Sequence, residues 1–307
     1  MKWIENNIGD LKGKTIIVTG GNSGLGYESS RLYTKYGATV ILASRKESRG
    51  TKALNQIKQE FPKGNIELML LDLGSKNSIE QFVANFKQKY NQLDILLNNA
   101  GIMAPPYEST TDGFESQIGV NYLGHFYLTG LLFPIIKKTK NARIINISSI
   151  AHRFGQIDLN TFVYQKENAY NKSKAYAQSK IANIFFTKEL ARRIEAHHLD
   201  TLVLSAHPGI SRTNLFGPTS KFNLMMLISQ NQYKGCLPGI RASIDPNAKS
   251  GEYYGPRGLF SFKGFPKKEH LKNWLIIRRF LQHFGNKVKS FFSLILKYKS
   301  DITTILI

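Results

Sequence analysis

Lys14-Thr15-Ile16-Ile17-Val18-Thr19-Gly20-Gly21-Asn22-Ser23-Gly24-Leu25-Gly26 decides how this chain is read. The β-branched run to Thr19 reads as a buried strand, because such side chains pack well on a pleated surface and the run stops at glycines. A helical pattern follows to about Tyr36, with Gly37 as its stop. In a strand, glycine turn and helix, backbone N–H groups can approach a pyrophosphate at the helix N-terminus. The spacing is Gly20-x-x-x-Gly24-x-Gly26, not Gly-x-Gly-x-x-Gly, and the same glycines would also serve a tight turn with no ligand.

The alternation continues outward. Further strands are expected at residues 39–43, 66–71, from 93 to the turn at 98–101, 143–149 and 201–206. Helices are expected at 50–61, 76–90 and 120–136, and another around Tyr176. Strands alternating with helices predict an α/β fold, a single doubly wound parallel sheet of Rossmann type with helices on both faces. After Leu215 the pattern weakens, and residues 251–256 read as a last short strand and turn. No repeat or linker divides the chain. The expectation is one domain over 1–270, with the dinucleotide site and the catalytic residues together, and a basic, partly apolar extension over 271–307.

Composition bounds the partners. Of 307 residues, 42% are hydrophobic, enough for a sizeable core. A single cysteine, Cys236, excludes an internal disulfide framework and is expected as a packed small side chain. No apolar leader and no apolar run of about 20 residues is seen, so the expectation is a cytoplasmic chain without a spanning helix. The net charge of +21 raises nucleic acid as a partner, but no nucleic-acid-binding signature accompanies it. From Arg257 to Lys299 there are eleven Lys or Arg and one acid, Glu269. There Phe291-Phe292-Ser293-Leu294-Ile295-Leu296 reads either as a peripheral membrane contact or as a solvated end.

In a doubly wound sheet, ligands lie beyond the carboxyl ends of the strands, and the polar clusters fall there or on the helices that follow. The second strand runs into Ser44-Arg45-Lys46, where a carboxylate would hold the ribose hydroxyls of NAD and cations would suit a 2′-phosphate. Asp72-Leu73 ends the third strand. Asp72 is placed either to accept from an adenine amino group or to cap the next helix. Asn98-Asn99-Ala100-Gly101 ends the fourth, with amides able to tie strand ends and a glycine open to close approach. Asn121 and His125 lie on an apolar helix, where a histidine is usually a satisfied core group. Ser148-Ser149 and His207-Pro208-Gly209 end the fifth and sixth strands. Tyr176 and Lys180 stand four apart on one helix face, so an ammonium is expected to lower the phenol pKa and fit it for general acid–base work. Tyr170-x-x-x-Lys174 repeats that spacing and is not separated from it by spacing alone.

Thr19-Gly20-x-x-x-Gly24-x-Gly26, Asn98-Asn99-Ala100-Gly101, Ser149, Tyr176-x-x-x-Lys180 and Pro208-Gly209, in that order, resemble the short-chain dehydrogenase/reductase family. Val120-Asn121-Tyr122-Leu123-Gly124-His125-Phe126 and the residues after Tyr176 resemble its retinol dehydrogenase branch and bacterial relatives. The resemblance implies Tyr176 as general acid/base, Lys180 as the residue that lowers its pKa and binds the nicotinamide ribose, and Ser149 as the hydrogen bond to the substrate oxygen. It implies Asn121 as holder of a relay water. Gly20, Asn22, Ser23, Gly24, Leu25, Gly26, Asp72, Leu73, Asn98, Ala100, Gly101, Pro208, Gly209 and Thr213 are implied as cofactor contacts. Arg45 favours NADP(H), with NAD(H) as the other candidate, and no metal is expected. The function expected is hydride transfer between nicotinamide and a lipophilic carbonyl or alcohol, the apolar segment from Phe216 to Gly235 closing over it. The alternative is a non-catalytic dinucleotide sensor or scaffold on the same fold. Oligomeric state is left open, a homo-oligomer included.

Overall fold

In the computed structural model, residues 7–157, 167–210, 230–258 and 261–271 are described. Thr213, most of the 216–235 segment and nearly all of the basic tail lie outside them.

The glycine unit is built as read. Strand β1 (Thr15–Thr19) leads through the glycine turn into helix α1 (Gly24–Lys35). The alternation continues with β2 (Thr39–Ser44), α2 (Glu47–Glu60), β3 (Ile66–Leu70), α3 (Lys76–Lys89), β4 (Ile95–Asn98), α4 (Gly124–Ile136), β5 (Ala142–Ile147), α5 (Lys172–Ala196) and β6 (Thr201–Ala206). Helix α6 (Gln232–Ile244) and strands β7 (Tyr253–Pro256) and β8 (Pro266–Glu269) complete it. The strand order is β3-β2-β1-β4-β5-β6-β7-β8. The chain therefore reverses direction beside β1 and β4, where a crevice opens between their carboxyl ends.

Period-2 alternation gives the sheet two apolar faces. Ile17, Ile41, Leu96 and Ile144 pack with α3, α4 and α5; Ile16, Val18, Leu42 and Leu97 pack with α1, α2 and α6. Buried Tyr33 on α1 reaches Ser243 on α6 with its phenol at 2.8 Å, locking the second layer.

Three features depart from a plain alternation of parallel strands and unbroken helices. The sheet is not wholly parallel, because β8 pairs antiparallel with β7. Pro238 lies inside α6 and does not end it; buried residues along that helix and the Asn231 cap on Lys234 N–H hold it. The expected helix over 120–136 opens with a π turn, Gly119–Leu123. Glycine at 124 suits the next turn, since a Cβ there would overlap Leu73 O beyond β3.

Candidate active site

Gly20 and Gly24 have φ of +64° and +56°, which side chains rarely adopt. At Gly26 a Cβ would overlap Gly20 O and stand 2.6 Å from Asn99 Nδ2, so only glycine lets α1 start this close to the loop. Ser23 is the N-cap of α1, yet its hydroxyl caps nothing, leaving the first-turn N–H groups without a side-chain partner. A cavity of about 300 Å³ opens above this turn. Gly20, Asn22, Ser23, Gly24, Leu25 and Gly26 line its floor, Arg45, Asp72 and Leu73 its β2–β3 end, Ala100 and Gly101 its middle, and Tyr176, Lys180 and Pro208 its far end.

The β4 turn is tied to β1 by one hydroxyl. Thr19 Oγ1 accepts from Asn99 N at 2.8 Å and Ala100 N at 3.0 Å, which uses both lone pairs. Its proton faces two acceptors, Leu97 O at 3.3 Å and His125 Nε2 at 2.9 Å. His125 then carries its proton on Nδ1 and donates to Asn121 O at 3.1 Å. Burial lowers the His125 pKa to about 3, so the ring is neutral. His125 is thus a satisfied core group. Asn121 sits in the π turn: its Oδ1 accepts from Ile102 N at 2.8 Å, and its Nδ2 donates to Ile102 O at 3.0 Å and Ser179 Oγ at 2.9 Å.

Asn98 needs correction. Its side chain is buried beneath the sheet end, with Nδ2 donating to Asn146 Oδ1 at 2.8 Å and Thr129 Oγ1 at 3.1 Å. Along a strand, successive side chains point to opposite faces, so Asn98 faces the helices while Asn99, beyond β4, lines the cavity. Asp72 does not cap α3, whose N-cap is Ser75; Asp72 Oδ1 accepts from Gly74 N at 2.9 Å while the residue still faces the cavity. Gly209 stands next to the cavity residue Pro208 with φ +66°. Arg49 also lines the cavity and was not anticipated. The available signal was three cations within five residues, Arg45, Lys46 and Arg49.

At the far end, the two serines separate. Ser148 Oγ is buried and donates to Lys180 O at 2.8 Å, across to α5. Ser149 precedes a short 3₁₀ turn, Ile150–Phe154, accepts from Ala151 N at 3.2 Å, and its hydroxyl pulls the pKa of the Tyr176 phenol down. Lys180 Nζ lies 5.8 Å from the centre of the Tyr176 ring and donates to Ile147 O at 3.2 Å. Burial lowers the Lys180 pKa to about 8. The Tyr176 pKa departs from the expected direction. Burial raises it, and the Ser149 hydroxyl pulls it back only in part. Desolvation of a phenolate thus dominates in this pocket. Tyr170 stands elsewhere. Its phenol accepts from Gln117 Nε2 at 2.8 Å and donates to Pro105 O at 3.1 Å, tying a loop to the start of α5.

The model of the short chain dehydrogenase family matches residues 14–223, and the chain belongs to that family. It is retinol-dehydrogenase-like within it. Mouse retinol dehydrogenase 14 is 40% identical over 270 residues, covering 80% of this chain and 79% of its own. Human retinol dehydrogenase 11 is 42% identical over 234 residues, covering 76% and 72%. A crystal structure of a protein from Mycobacterium paratuberculosis superposes with a TM-score of 0.72 at 35% identity, covering 87% of this chain and 88% of that one. A Shigella flexneri short chain dehydrogenase complexed with NADP shares the fold, with a TM-score of 0.64 at 23% identity over 80% of this chain and 98% of its own. The chain is therefore an oxidoreductase acting on CH–OH and C=O groups. Among the described residues, no helix is long and apolar enough to cross a membrane.

Proposed function

We propose that this chain uses NADP(H), in preference to NAD(H), to interconvert lipophilic carbonyls and alcohols, retinal-like aldehydes among them. The observation that carries this reading is that Tyr176 and Lys180 line one end of a glycine-floored cavity, with the Ser149 hydroxyl near enough to pull the phenol pKa down. The cavity suits a dinucleotide: uncapped N–H groups and missing Cβ atoms leave room for phosphates, and the β2 end offers Arg45, Lys46 and Arg49.

A bound nicotinamide supplies or accepts the hydride. The phenol of Tyr176 gives its proton to the carbonyl oxygen in reduction and takes the alcohol proton in oxidation. Ser149 Oγ, already accepting from Ala151 N, keeps its own proton to donate to that oxygen. Lys180 is mostly charged below its pKa of about 8 and stands one helical turn beyond Tyr176 at the same end of the cavity. Asn121 ties Ile102 to Ser179 through its side chain and so holds the π turn near Lys180.

Support for an apolar substrate comes from Phe154, 82% exposed five residues beyond Ser149. The sequence adds Phe222, Leu224, Met225, Met226, Leu227 and Ile228, outside the described residues. The retinol dehydrogenases among the relatives point the same way. Purified chain screened against retinal, long-chain and short polar aldehydes, following NADPH absorbance, tests the proposal. Turnover of the long apolar aldehydes is expected. NADPH binding with no carbonyl reduced and no alcohol oxidised would leave a dinucleotide sensor instead.

A further inference from the structure

His207 follows β6 and is wholly buried, at 0% exposure. Its Nδ1 accepts from Gly209 N at 3.2 Å, so the ring proton sits on Nε2 and is donated to Glu269 Oε1, also at 3.2 Å. Burial pushes the Glu269 carboxyl up, but hydrogen bonds from His207 and Ser261 and the nearby Arg153 charge outweigh it and hold it below the usual range. The pair is built in from three sides. Tyr253 stacks on the His207 ring, with centroids 5.2 Å apart. A Cβ at Gly255 would overlap both His207 Nε2 and the Glu269 carboxylate, so glycine there makes the room. Antiparallel pairing of β8 with β7 puts Glu269 opposite Tyr253.

The pair acts on a turn at the cavity. Pro208 lines it, and Pro208 O accepts from Gln230 Nε2 at 2.7 Å. Ile210 N donates to Phe262 O at 2.8 Å, so the segment leading into β8 backs the same turn. Without Glu269, the Nε2–H would be buried with no acceptor. Moving the proton to Nδ1 would set it against the Gly209 N–H, and rotating the ring would leave that N–H unpaired. Either way the turn loses its hold. Glu269 lies beyond residues 14–223, which the family model matches.

We propose that Glu269, acting through His207, is a positioning residue for the Pro208–Gly209 turn and so for the ring end of a bound nicotinamide dinucleotide. This rests on the reading of the cavity as an NADP(H) site. The test compares Glu269→Ala, Glu269→Gln and Lys268→Ala. Lys268 holds the same strand through Asn247 O at 2.6 Å and Glu252 Oε1 at 3.0 Å, away from the pair. Readouts are the NADPH dissociation constant by fluorescence, kcat and KM, and the His207 tautomer by nitrogen NMR. Glu269→Ala should weaken NADPH about tenfold, the low end for a lost charge-assisted bond, and remove the Nε2–H tautomer. Glu269→Gln keeps an acceptor and should bind within about threefold of native. Lys268→Ala weakening NADPH as much as Glu269→Ala would overturn the proposal, as would a Gln variant no better than Ala. Native chain that binds no dinucleotide would instead sink the reading of the cavity.

Discussion

Lys180→Met should make the protein more stable at neutral pH while disabling it. Lys180 is 4% exposed, and its pKa falls from 10.5 to about 8 because burial penalises the ammonium. One pKa unit is about 1.4 kcal/mol, so holding the charge inside the fold costs about 3 kcal/mol at pH 7. Met has similar length and carries no charge to desolvate. Losing the bond to Ile147 O offsets about 1 kcal/mol, which leaves a net gain of about 2 kcal/mol. The pH dependence is specific to this cause. Below about 8 the ammonium is present in both folded and unfolded chains and the cost is complete. From about 8 to 10.5 the folded chain gives up the proton first, so native stability rises with pH and the advantage of the variant shrinks to nothing and then reverses, because the bond to Ile147 O is still missing. Urea unfolding of both proteins at pH 7, 8, 9 and 10 measures the difference, and NADPH oxidation should fall by about 10²-fold or more in the variant. A variant no more stable than native at pH 7, or a stability difference flat across that range, would refute the reasoning.

Tyr176→Phe should lower turnover by at least about 10²-fold while NADPH still binds. Tyr170→Phe loses only its loop bonds and should cost about 1 kcal/mol of stability with turnover kept; the opposite pattern in steady-state assays would exchange their roles. Ser149→Ala should reduce kcat by about 10²-fold, whereas Ser148→Ala should shift the urea midpoint and spare kcat, because its hydroxyl serves Lys180 O. The native chain should bind NADPH at least about tenfold more tightly than NADH, and Arg45→Asp should reverse that order. Equal fluorescence dissociation constants in the native chain, or a variant weakened equally for both, would leave Arg45 a surface residue.

Much of the site was legible because its signals are local. The β1–glycine–α1 unit is a strand pattern, a turn chemistry and a helix pattern in consecutive residues, and Tyr176 with Lys180 needs only helical spacing. The ends of α2 and α4 were less legible, since caps and a π turn depend on neighbours such as Leu73. Strand β8 gave no signal: Pro266-Lys267-Lys268-Glu269 is short, polar and begins with proline, as suits a sheet edge, and only its pairing with β7 makes it a strand.

The sequence by itself determined the doubly wound architecture, the glycine turn between β1 and α1 and the pairing of a tyrosine with a lysine on one helix face. Periodicity and turn residues act over a few positions, and alternation of the elements leaves few topologies open. Only the tertiary structure decided that Asn99 lines the cavity while Asn98 is buried in the sheet end, and that Tyr170 holds a loop while Tyr176 faces the cavity. It also brought Arg49 to the cavity, joined Glu269 to His207 across 62 residues of chain, and turned the Tyr176 pKa upward. Those outcomes depend on which face a side chain takes and how much water remains around it, and both are set by strands, helices and turns far apart in the chain.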